Sequence, residues 1–275
     1  MENKNQKIIV LGDSFAEINP NIDYLWQNIL SKKLELDLVN IAQNGASSEW
    51  MMLKIAEYIE HNLEPDDLLI LILPYWERVC IWPDHPDLNS IFPIESVKKD
   101  WVESIDDLPE ILSEKLKHYS VEERRAFQYY FHYLKNEDLI LTRTLALLNW
   151  FNNLSCKLKN KPLIFDSHKF VENFHANLHH CSVANGSLFE ICENEFQSKE
   201  LFEEYTNKGP FNDFRIGHMS PCNHEVLANK ILDYFSNNDI PDLTSGFHEK
   251  IVKKEDVPVN KFENKSLFKK IRNLF

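Results

Sequence analysis

The chain begins with alternating kinds of apolar pattern. Ile8, Ile9, Val10 and Leu11 form an unbroken apolar run closed by Gly12, which predicts a strand over residues 6–11 that is buried on both faces. Ile22, Leu25, Trp26, Ile29 and Leu30 follow at i, i+3, i+4, i+7 and i+8, the stripe of a helix packed on a sheet. Residues 36–41 read as a second strand. Ser48 then caps a helix that buries Met52, Ile55 and Ile59, and Asp66-Asp67 precede a third, wholly apolar strand over residues 68–73. Strand and helix alternate, which favours a parallel, doubly wound α/β sheet.

The pattern changes at Pro74. Pro74, Pro83, Pro86 and Pro93 punctuate an irregular loop that runs to about Val97. Residues 110–161 contain neither Gly nor Pro, and Ser120 with Glu123 has capping-box spacing ahead of Arg125, Phe127, Tyr130 and Leu134. A helical insertion over about residues 98–160, broken near Asn136, is expected. Residues 162–165 resemble a fourth strand and residues 188–192 a weak fifth. Ser220-Pro221 reads as an N-cap with proline at N1 of a last helix burying Leu227, Ile231 and Phe235. One domain over residues 1–237 follows, with residues 238–275 forming a polar linker and a basic amphipathic tail. The tail carries Leu267, Phe268, Ile271, Leu274 and Phe275 on one helical face, suited to docking on the domain or on a partner subunit, with a membrane surface as the minor use.

Composition narrows the function classes. The 275 residues suffice for a sizeable core, and 43% hydrophobic and 27% charged residues exclude a wholly disordered chain. With 43 acidic against 30 basic side chains the net charge is −13, which opposes phosphate attraction, so no nucleic-acid partner is expected. The 5 cysteines are scattered and contain no Cys-x-x-Cys pair. Reduced thiols in a cytoplasmic, soluble protein without secretion signal or transmembrane segment are the expectation. His179-His180-Cys181 and Cys222 with His224 lack a second spaced pair of ligands, so no metal site is expected, and no cofactor motif is found.

Three blocks carry the candidate chemistry. Gly12-Asp13-Ser14 ends the first strand, where open α/β sheets place ligands. The block from Asn40 to Ser48 places Gly45 after the second strand, where a glycine lets the backbone approach a ligand and its N–H can help hold an oxyanion. Gly217-His218 precedes the last helix, and His224 lies in its first turn; a neutral imidazole on that loop can take a proton from Ser14, which is weakly nucleophilic without an adjacent base. His224 is read as a packing and hydrogen-bonding residue. Of 6 glycines, Gly12, Gly45 and Gly217 fall in these blocks.

Together the blocks resemble the SGNH, or GDSL-type, hydrolase family. Gly12-Asp13-Ser14-Phe15 matches its first motif, Asn44-Gly45-Ala46-Ser47 its second, and His218 with His224 and Leu227-Ala228 its last, over about residues 7–235. The resemblance implies a flavodoxin-like fold and ester cleavage with Ser14 as nucleophile, His218 as base, and the N–H groups of Ser14 and Gly45 as oxyanion donors. The family's third motif, Gly-x-Asn-Asp, is replaced by Pro74-Tyr75-Trp76-Glu77-Arg78. In the simplest register Trp76 stands in the donor position, and Arg78 offers a positive charge. Arg215 occupies the place of the family's orienting acid; Asp213 reaches His218 if the intervening residues form a tight turn, and otherwise the site is a Ser-His dyad. Asp166-Ser167-His168 is read as a sheet-end turn. The aromatics at 75, 76 and 82 either line a sugar or acyl pocket or cover core beneath the loop. The reading is a serine esterase, an O-deacetylase of carbohydrate or another small-molecule ester; the competing class is a noncatalytic carbohydrate-binding or structural protein on the same fold.

Overall fold

The computed structural model describes residues 6–16, 21–43, 46–75, 120–122, 125, 137–168, 178–207 and 218–256. Five strands, β1 (Lys7–Leu11), β2 (Asp37–Asn40), β3 (Leu68–Leu73), β4 (Leu163–Asp166) and β5 (Ser182–Ser187), form one sheet in the order β2-β1-β3-β4-β5. Every pairing is parallel, with Ile8 opposite both Leu38 and Leu68. The α/β architecture is therefore present, with a strand order compatible with a flavodoxin-like sheet.

Period-two alternation on β1 explains why the sheet is covered twice. Ile8 and Val10 face a core shared with Trp26 and Leu30 of α1 (Trp26–Leu34) and Leu227 and Ile231 of the last helix. Ile9 and Leu11 face the opposite core, with Trp50 and Met51 of α2 (Ser48–Lys54). That helix continues through a π turn at Ile55–Ile59 into α3 (Glu60–Asn62). The N-cap of α2 is Ser47 rather than Ser48: its hydroxyl accepts the Trp50 N–H at 3.3 Å. Ile55 and Ile59 are buried as expected, whereas Met52 is only partly covered.

Of the predicted insertion, Val121, Glu122, Arg125 and α4 (Glu137–Ser155) are described as helical. The expected break near Asn136 lies outside the described residues. Leu147, Leu148, Phe151 and Leu154 of α4 are buried against β3 and β4 residues, so this helix is part of the β3-to-β4 crossover that covers the sheet. It also joins α2, through Ser48 and Thr144 hydroxyls 3.1 Å apart and an Arg143–Glu49 ion pair at 2.7 Å.

The expected fifth strand at residues 188–192 is instead α5 (Leu188–Asn194), and β5 lies immediately before it. A capping box decides the boundary: the Ser187 hydroxyl accepts the Glu190 N–H, and the Glu190 carboxylate accepts the Ser187 N–H. Helical spacing then buries Leu188, Ile191 and Cys192 on one face. The chain continues through α6 (Lys199–Asn207) to α7 (Pro221–Asn237), which begins at the expected N-cap, Ser220, with proline at its first position. Phe235 is only partly buried, and Tyr234 takes the inward position.

The stretch read as a linker is docked over its described part. Asn185 N–H donates to the Pro241 carbonyl at 3.0 Å, and Leu243 N–H donates back to the Asn185 carbonyl at 2.7 Å. Further on, Val252 N–H donates to the Glu195 carbonyl at 2.8 Å. This strap pairs with the outer side of β5, an otherwise open edge whose SVANGS sequence is too polar to have stood out as a strand. The tail beyond residue 256 lies outside the described residues.

Gly12 is required by closeness. A Cβ built there would stand 2.8 Å from the Ala16 Cβ and 3.0 Å from the Ile72 Cβ, so the turn after β1 leaves no room for one. Gly12→Ala is expected to destabilise the domain by about 1–3 kcal/mol, the usual cost of overpacking, seen as a lowered urea midpoint with an unchanged m-value.

Candidate active site

The switch point of a 2-1-3-4-5 sheet lies at the carboxyl ends of β1 and β3, where successive connections leave in opposite directions. Ser14 stands there, two residues beyond Gly12. The buried Asp13 makes the turn: its carboxylate accepts the Phe15 N–H at 3.1 Å and its carbonyl accepts the Ala16 N–H at 2.9 Å. Neighbouring elements take the carbonyls that follow. Trp26 Nε1 donates to Phe15 at 3.0 Å, while Gln27 Nε2 and Asn40 Nδ2 each donate to Ala16 at 2.7 Å. The turn is thus fixed by α1 and by the end of β2. Ser14 itself is 5% exposed, and no described residue hydrogen-bonds its hydroxyl or its backbone N–H. Trp26, Gln27 and Asn40 were not foreseen in this role, since their polar atoms meet the turn only in the folded chain.

The two histidines of the last block are separated as the sequence reading proposes. His224 is fully buried, its Nδ1 accepts the Trp26 N–H at 3.4 Å, and its ring lies 5.8 Å from that of Tyr24. It caps the first turn of α1, whose own N-cap residue, Leu25, makes no side-chain bond. This also explains why α1 starts at Trp26 although the apolar stripe begins at Ile22. His218 lies on the turn before α7 in the left-handed region, with φ of 61°, and its imidazole packs 4.7 Å from the ring of Phe15, the residue next to Ser14.

A further histidine arrives from the end of β4. Ser167 N–H extends the sheet by donating to the Leu73 carbonyl at 3.0 Å, and its hydroxyl lies 3.1 Å from His168 Nδ1. The His168 ring stacks on Phe189 at 4.7 Å and contacts Tyr75 at 5.0 Å and Phe15 at 6.1 Å. The sheet-end turn therefore brings Tyr75, Phe189 and two imidazoles around Phe15. His168 was legible by position alone, as a polar residue just beyond the carboxyl end of a buried strand.

Gly45, Trp76, Arg78 and Asp213 lie outside the described residues. Among the described residues no group of three His, Cys, Asp or Glu side chains is gathered as a metal site would require, and no helix is long and apolar enough to cross a membrane. Cys181, in the His179-His180-Cys181 run, is buried against the Ser155 hydroxyl at 3.2 Å, and burial pushes its thiol up to about 11. That keeps it protonated and a poor nucleophile or ligand. Comparison of the chain with protein-family models, with curated proteins and with solved structures gave no match.

Proposed function

We propose that this chain is a divergent relative of the SGNH-type hydrolases and acts as a serine esterase on small esters, the preferred class being O-acetyl groups on carbohydrate. The observation that carries this reading is the packing of the His218 imidazole, from the far end of the chain, against the ring of Phe15, the residue that follows Ser14 at the switch point of the sheet. In the proposed reaction the Ser14 oxygen attacks the ester carbonyl as its proton passes to His218. The C–O bond then breaks, and the leaving alcohol takes the proton from the imidazolium. Water hydrolyses the acyl-serine by the same route, giving the carboxylate and a free Ser14 hydroxyl.

The N–H groups of Ser14 and Gly45 are assigned to the oxyanion, Trp76 or Arg78 to the donor that replaces the missing third motif, and Asp213 to orienting the base. The exposed parts of Tyr75 and Phe189 supply aromatic faces of the kind that stack on sugar rings. A fluorophosphonate probe tests the reaction class. Ser14 is expected to be labelled, and Ser14→Ala to lose both the label and the hydrolysis of p-nitrophenyl acetate. An unlabelled, folded wild type would sink the esterase and favour the noncatalytic carbohydrate-binding alternative.

A further inference from the structure

We propose that α5 is the positioning device for His218, with Cys192 and Glu195 as positioning residues; this rests on the reading of His218 as the base. Cys192 and Glu195 are three residues apart and so share one face at the end of α5. Cys192 Sγ donates to the His218 carbonyl at 2.6 Å. The fully buried Glu195 carboxylate accepts the Ser220 N–H at 2.9 and 3.1 Å, the Ser220 hydroxyl at 2.5 Å, and the Asn223 amide at 2.6 Å. Between these anchors Met219 is driven into the main core, 1% exposed.

The peptide groups on either side of Met219 are thus held in place: one at the His218 carbonyl, the other at the Ser220 N–H. A non-glycine residue with φ of 61° persists only where its surroundings over-determine it, and such residues cluster at functional sites. Here the surroundings are two side chains of α5 and one core methionine, and their combined effect is to hold the His218 imidazole against Phe15. Glu195 does a second job through the same atoms. Ser220 caps α7 by accepting the Asn223 N–H while donating to Glu195, so the carboxylate sits at the positive end of that helix. Asn223 then clasps both the N–H and the carbonyl of His248, linking the strap to the same point. A cap alone would not require the bond from Cys192, which holds the peptide carbonyl of the left-handed histidine, two residues before the capping serine.

The test compares Cys192→Ala, Cys192→Ser and Glu195→Gln in the full chain by two readouts. One is the rate of fluorophosphonate labelling at Ser14 across pH. The other is the NMR shift of the His218 imidazole protons, which the Phe15 ring current displaces. Cys192→Ala and Glu195→Gln are expected to label about 10- to 100-fold more slowly, as misplacement of a catalytic group does, with the His218 signals moving towards their unstructured values. Cys192→Ser, whose hydroxyl also donates, is expected to restore both. Folded variants that label at the wild-type rate, or that label slowly with unmoved His218 signals, would overturn the proposal. If the wild type takes no label, the esterase reading fails, and the His218 shifts alone decide: movement upholds the positioning role, and none overturns it. If Glu195→Gln does not fold, the Cys192→Ala and Cys192→Ser pair decides the matter by the same readouts.

Discussion

His218→Ala is expected to slow Ser14 labelling and ester turnover by about 10²- to 10⁴-fold, the range for loss of a general base, while His224→Ala is expected to act mainly on stability. The environments of the two rings set this contrast. His218 is partly exposed, and its ring rests on Phe15, so truncating it removes little packing; the left-handed backbone costs alanine about what it costs histidine, because the strain comes from the Cβ that both carry. His224 is fully buried and accepts the Trp26 N–H. Its removal strands a buried donor and leaves a cavity, together worth about 2–4 kcal/mol. Urea midpoints and kcat measured on both variants check the pair, and a reversed ranking would assign the base to His224.

Phe151→Ala is expected to cost about 3–5 kcal/mol, a large part of the stability of an ordinary domain. Phe151 is fully buried on the face of the sheet beneath α4, among Leu71, Leu73 and Ile164. If α4 belonged to an appended insertion, the same truncation would change the urea midpoint little, because substitutions away from a core usually fall within about 0.5 kcal/mol. A large loss therefore marks this helix as part of the crossover that completes the domain, and ties the stability of the switch point to it.

Several elements were legible because a local pattern was sufficient to specify them. β3 is fully apolar, and its observed limits, Leu68–Leu73, coincide with the apolar run; a strand covered on both faces has no polar position to blur its ends. Ser220-Pro221 announces α7 because capping and the fixed φ of proline act within one turn. The fifth strand was misplaced for a related reason. Leu188 to Cys192 carries more apolar weight than Ser182 to Ser187, but a reciprocal Ser187–Glu190 cap turned the former into helix, and the open edge, covered by the strap, accepted the latter as strand.

In the candidate site, the sequence by itself determined the alternation of strand and helix, the position of Ser14 after the first strand, and the placement of His218 on a loop with His224 inside a helix, since each depends on neighbours a few residues away. Only the tertiary structure decided what these residues touch. His224 caps α1, Asn40 joins the turn beyond Ser14, His168 reaches Phe15 from β4, and Cys192 and Glu195 hold the turn that carries His218. Each of these contacts pairs side chains or peptides from separate elements, and no periodicity in a single segment encodes its partner in another. A buried glutamate reads in the sequence as one more charge on an acidic chain; it becomes a structural anchor only when packing excludes water and leaves Ser220 and Asn223 to satisfy it.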